Sequence, residues 1–168
     1  MIVRNAVYLA AMGGLLLAGC VPLADVEAPA MPALAAQQAN PRVALLEHVL
    51  AGYFASDITN RPTVCAAVHD GREDDALPPD DEVALIERFD RLAPLSRCSL
   101  TAAGWRDAET EEPALVFSLH SFTCSSEASC SGWAGYNSGA AASMSYLYKM
   151  EWGGSEWAFT RDARALAQ

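Results

Sequence analysis

The stretches ALVFSLHSFT (residues 114–123) and ASMSYLYKME (residues 142–151) decide the fold. In the first, Leu115, Phe117 and Leu119 alternate with Val116, Ser118 and His120. Successive side chains of a strand point to opposite faces, so this period of two predicts a half-buried β-strand. The second puts Met144, Tyr146, Tyr148 and Met150 on one side of a longer strand. Gly132 to Asn137 is a further strand, ended by the turn Asn137-Ser138-Gly139. Gly153-Gly154 predicts a tight hairpin, both glycines being free to take positive φ, with Trp157 to Arg161 as the return strand and Asp162 to Gln168 as a tail.

Upstream the period changes. Leu45, Leu46, Val49, Leu50, Tyr53 and Phe54 recur at helical spacing after Asn40-Pro41. Pro suits the first helical position and an Asn side chain can accept from the first free amides, so a helix is predicted from there to about Ser56. Thr63 to Val68 reads as a short strand. A charged loop follows, and Asp80 or Asp81 is expected to cap a second helix. Val83, Leu85, Ile86, Phe89 and Leu92 form its apolar face, and Pro94 stops it. Leu95 to Leu100 is a brief strand, and Thr101 to Pro113 is polar and irregular. The expected class is α+β: two helices packed on a curved, mostly antiparallel sheet. In element order, residues 40–162 resemble the cone-shaped α+β folds of the nuclear-transport-factor-like and cystatin-like kind, but with a short strand and a loop between the helices.

The N-terminus has a different character. Arg4 is the only charge before a continuous apolar run from Ala6 to Ala18, which the small residues Ala18 and Gly19 close. That is the layout of a secretory signal, too short for a membrane span. Leu17-Ala18-Gly19-Cys20 resembles the lipobox of bacterial lipoproteins. The resemblance implies cleavage after Gly19, acylation of Cys20 and an anchor in an envelope membrane. Two or more acyl chains hold firmly where one does not. Val21, where the sorting pattern places aspartate for inner-membrane retention, implies the outer membrane, facing the periplasm. The Ala/Pro-rich residues 20–38 read as a flexible tether, leaving 39–168 as one domain of about 120–130 residues.

The chain of 168 residues carries a formal net charge of −10. Losing Arg4 leaves ten of the eleven basic residues against 21 acidic ones, a net −11. Such a chain repels phosphate backbones and anionic lipid, so nucleic acid is no expected partner and membrane attachment requires the covalent anchor. With Cys20 assigned to lipid, Cys65, Cys98, Cys124 and Cys130 form an even set, and export favours disulfides. Three pairings are possible. The favoured one is Cys65–Cys98 with Cys124–Cys130, the latter closing a Ser-rich loop. Each bond would contribute ~2–4 kcal/mol in the chain-entropy account.

Candidate chemistry is sparse. No C-x-x-C pair occurs and His48, His69 and His120 stand singly, so no zinc site is expected. The acidic run around His69-Asp70, Glu73-Asp74-Asp75 and Asp80-Asp81-Glu82 lacks the D-x-D-x-D-G calcium pattern, and Pro78-Pro79 interrupts it. It reads as a solvated loop leading into a helix start. Neither G-x-S-x-G nor S-x-x-K is present, and His120 and Ser121, as strand neighbours, face opposite sides. No catalytic residue, metal or cofactor is assigned. The aromatic crowd in the C-terminal third supplies the possible binding face, Trp133, Tyr136, Trp152 and Trp157, suited to a glycan or an envelope protein. The expected function is therefore a non-catalytic, lipid-anchored binding or scaffolding protein. The alternatives are a small-ligand domain with a pocket between sheet and helices and, behind it, an envelope hydrolase.

Overall fold

The computed structural model describes residues 33–69, 71–139 and 143–167. The signal, Cys20 and the tether to residue 32 lie outside them, as do Asp70, Ala142 and Gln168. In chain order the elements are α1 (Pro41–Phe54), β1 (Thr63–His69), β2 (Asp74–Asp75), α2 (Pro79–Arg88), β3 (Leu92–Ala93), β4 (Cys98–Thr101), β5 (Gly104–Asp107), β6 (Ala114–Ser126), β7 (Ser129–Asn137), β8 (Ser143–Trp152) and β9 (Trp157–Ala167). The class is α+β, with two helices and a mostly antiparallel mixed sheet. Its order is β2-β1-β6-β7-β8-β9, with β3 sharing the β2 edge of β1. Only β1–β6 and β1–β3 run parallel.

Pro41 opens α1 as expected, but the Asn40 side chain makes no capping bond. Its amide instead meets Gln37 Oε1 at 3.4 Å. The buried set of α1 is wider than one stripe: Val43, Ala44, Leu45, Leu46, Glu47 and Leu50 are all enclosed. The extra cover is a 3-10 turn at Leu34–Ala36, whose Leu34 is buried and whose Ala35 N–H donates to Glu47 Oε2 at 3.0 Å. Ala33 to Gln38 therefore belongs to the domain and not to a free tether. At the other end of α1, Arg61 Nη2 donates to the carbonyls of Phe54 (2.9 Å) and Ser56, meeting terminal acceptors that a helix cannot satisfy internally.

Helix α2 is capped by Pro78, not by Asp80 or Asp81. Those two and Glu82 occupy its first turn, where negative charge suits the helix dipole, and Arg88 sits in its last. It ends at Arg88, earlier than the apolar pattern suggests, because Leu92 leaves the helix to pair with Val64 of β1. Glu47 joins the helices: its Oε1 lies 2.7 Å from Arg88 Nε.

Three strand expectations change. Residues 101–113 are not irregular throughout, since β4 and β5 form an antiparallel hairpin. Residues 162–167 are not a tail, because β9 continues along β8 as far as Met144↔Ala167. The turn after β8 is longer than a tight diglycine hairpin: Trp152 pairs with Trp157, Gly153 N–H donates to Glu156 O at 2.9 Å, and of the two glycines only Gly154 has positive φ (+96°).

Both faces of the early strands are covered. On the inner face Val64, Ala66, Phe117, Leu119, Ala134, Tyr148, Met150 and Trp157 pack against Leu45, Leu46, Leu50 and Leu85 of the helices. On the outer face Cys65, Ala67, Ala114 and Val116 form a second core with Leu95, Cys98 and Trp105. Strand β6 is thus not half-buried at its start, where Val116 is as enclosed as Leu119. The β4–β5 hairpin supplies the cover. Trp105 N–H reaches Ser138 O at 3.2 Å, and a Cβ on Gly139 would lie 2.2 Å from Gly104 Cα, an approach that requires glycine. Beneath the hairpin, the buried Asp107 carboxylate accepts from Arg97 Nε (3.0 Å) and Thr63 Oγ1. These bonds hold it well below the usual carboxylate range, Arg97 contributing most.

Candidate functional site

The hairpin covers only the first half of the outer face. Beyond it, the strand register sets out two rows: His120–Trp133–Leu147 across β6, β7 and β8, then Thr123–Ser131–Lys149–Thr160 across β6 to β9. Ser129 pairs with Glu151 one step further on. Thr123, Lys149, Glu151 and Thr160 are exposed, and Ser131, Trp133 and Leu147 are half-buried. A bulge in β6 between His120 and Thr123, with Ser121 at φ +50°, shifts the alternation by one residue. His120 and Thr123 consequently share the outer face, while Phe122 packs on the inner core.

At the boundary with the covered half, several polar groups meet. His69 Nδ1 lies 3.2 Å from Asp74 Oδ1. The His69 and His120 rings stand edge to face, 6.4 Å apart. His120 stacks nearly parallel on Trp133 with centroids 6.0 Å apart, and its Nε2 is 3.5 Å from Ser145 Oγ. Desolvation chiefly, and the neighbouring His69, push the His120 pKa below its ordinary value, against the pull of Asp74. A neutral imidazole there can donate one hydrogen bond and accept another. Asp74 bonds His69 and not His120, so these residues assemble no Ser–His–Asp relay, and Ser145 is only 7% exposed. Among the described residues no three metal-ligating side chains converge.

The four aromatics read together from sequence do not share a surface. Trp133 lies on the outer face, whereas Tyr136 and Trp152 pack against the inner core. Trp157 is 3% exposed, and its indole N–H donates to Gln37 O at 3.3 Å. Their strand parity turns them inward, and the residues upstream of α1 cover Trp157. The cysteines pair as favoured, Cys65 with Cys98 and Cys124 with Cys130.

The space between sheet and helices, where the alternative small-ligand reading places its pocket, is filled by Leu45, Leu46, Leu50, Leu85, Leu119 and Met150, all fully buried. The largest cleft described, about 1010 Å³, lies at the sheet's end instead, and Arg61, Arg91 and Arg97 line it. Arg61 is committed to the end of α1 and Arg97 to Asp107 and Glu109, so two of the three guanidiniums already serve the fold. Sequence reasoning passed over the Ser145–His120 and Thr63–Asp107–Arg97 contacts. Their members lie 25, 44 and 10 residues apart, and no local spacing links them. Comparison with protein-family models, with curated proteins and with solved structures finds no match to this chain.

Proposed function

We propose that the chain is a lipid-anchored cell-envelope protein, outer-membrane and periplasm-facing, that binds a partner non-catalytically through the open half of its outer sheet face. One observation carries this: helices α1 and α2 pack over the main core on the inner face, while a disulfide-tied hairpin closes only half of the outer one. The pairing of the other four cysteines supports the anchor, since it leaves Cys20 no partner within the chain. Val21 after Cys20 supports the outer membrane over the inner.

The test uses Lys149, the chain's only lysine and an exposed residue of that face. Amine-selective acylation with a membrane-permeant reagent is compared in intact cells and on purified protein, with peptide mapping as readout. Slower modification of Lys149 in cells is expected, and equal rates would refute a bound face. Alkyne fatty-acid labelling tests the anchor: Cys20→Ser should abolish the label, and unchanged labelling would refute it. A second reading, a small-ligand binder, draws on the arginine-lined cleft. Arg91, exposed at its mouth, is the side chain whose replacement by Ala would weaken a carboxylate ligand there.

A further inference from the structure

We infer that the open half-face takes an uncharged glycan chain. The inference rests on the reading above that this face is bound in the envelope. The patch crosses β6 to β9 at about 4.8 Å per strand, roughly 15 Å, and runs a similar distance along them. That area suits a short oligosaccharide laid flat. Its polar groups are mostly hydroxyls: Thr123, Ser129, Ser131 and Thr160. A hydroxyl both donates and accepts, matching sugar hydroxyls that do the same.

Lys149 is the one charged side chain in the two rows, and Glu151, one step further on, accepts from Ser129 Oγ at 3.0 Å. In a chain of net charge −10, this face offers neither a polyanion nor a polycation a reason to settle. A nucleic acid or an anionic lipid would need several cations here. A protein partner fits less well, because interface cores are depleted in Ser and Lys and enriched in aromatics, Met and Arg. Here Trp133 and Leu147 stand among hydroxyls. Trp133 adds a stacking surface for the C–H face of a sugar ring, and His120 parallel to it at 9° fixes the indole in place.

The experiment titrates the purified full chain in detergent with uncharged tetrasaccharides, namely N-acetylchitotetraose, cellotetraose and maltotetraose. Trp fluorescence and the acylation rate of Lys149 are followed together. Saturable binding of at least one is expected, with Lys149 protected in parallel. Trp133→Ala should weaken it about tenfold, the loss of one aromatic stack. Thr160→Ala should weaken it less, and Val83→Ala, on the exposed side of α2, not at all. No response to any tetrasaccharide up to ~10 mM, a concentration that would reveal affinities weaker than millimolar, overturns the glycan inference. If Lys149 is still protected in cells, the bound-face reading survives and a protein is the occupant. If it is not, both fail. Binding that ignores Trp133→Ala overturns the location.

Discussion

Removing the two disulfides separately should have unequal costs, and the inequality follows from where each sits. Cys65–Cys98 closes a separation of 33 residues and Cys124–Cys130 one of 6. The chain-entropy relation gives about 3.7 kcal/mol for the first and about 2.2 kcal/mol for the second at 25 °C. An unfolding entropy of about 2.1 cal/mol/K per residue, over a domain of about 135 residues, converts these to Tm losses of roughly 13 °C and 8 °C. The first figure is a lower bound, because Cys65 is fully enclosed in the second core and Cys65→Ala also removes packing there. Cys124 is exposed, so its truncation adds little. The variants are Cys65→Ala/Cys98→Ala and Cys124→Ala/Cys130→Ala, compared by calorimetry of the full chain. The first should also loosen the β4–β5 hairpin and speed tryptic cleavage after Arg97 and Arg106, which flank and lie in it. An equal or larger Tm loss in the second variant would refute the assignment of the hairpin as a tied cover. So would unchanged cleavage at both arginines in the first.

Three further outcomes are expected. Gly139→Ala puts a methyl 2.2 Å from Gly104 Cα at a φ of +82°, so the hairpin should lift and stability fall by about 2 kcal/mol or more, with a red shift of Trp105 emission as the readout. Arg88→Ala strips the ion pair from the buried Glu47; urea unfolding should show a loss of about 2–4 kcal/mol, below the fully buried case because Arg88 is partly exposed, and a loss under 0.5 kcal/mol would count against that pair as the tie between α1 and α2. The folded His120 resists protonation, whereas the unfolded side chain takes its proton near the ordinary 6.5. Stability should therefore be full above that pH and decline as pH falls through it, with a shallower Tm slope between about pH 7.5 and 5.5 in His120→Gln than in the parent.

The strand alternation in residues 114–123 and 142–151, the helical spacing from Pro41 and the even set of four domain cysteines were all legible locally. Each is a repeat or a count, set by backbone geometry and chain chemistry. The brief strand expected at Leu95–Leu100 overlaps β4, but its hairpin partner β5 was not legible, because Gly104-Trp105-Arg106-Asp107 has too little alternation to announce a strand. Its stability comes from what it covers. The end of β9 was missed because its partner is β8, across a turn. The bulge at Ser121 was missed because one extra residue on one strand leaves no mark on composition.

The candidate site shows the same division most sharply. Sequence alone determined that aromatics crowd the C-terminal strands, but it grouped Trp133 with Tyr136, which lie three residues apart on β7 and so face opposite sides. Which parity faces solvent was decided in three dimensions. α1 and the residues before it cover the inner face and enclose Trp157, while Tyr136 and Trp152 pack against the same core. The hairpin covers half of the outer face, leaving Trp133, Lys149 and Thr160 on the other half. A strand carries its alternation within itself, but burial belongs to whatever packs across it, and here that cover comes from residues tens of positions away.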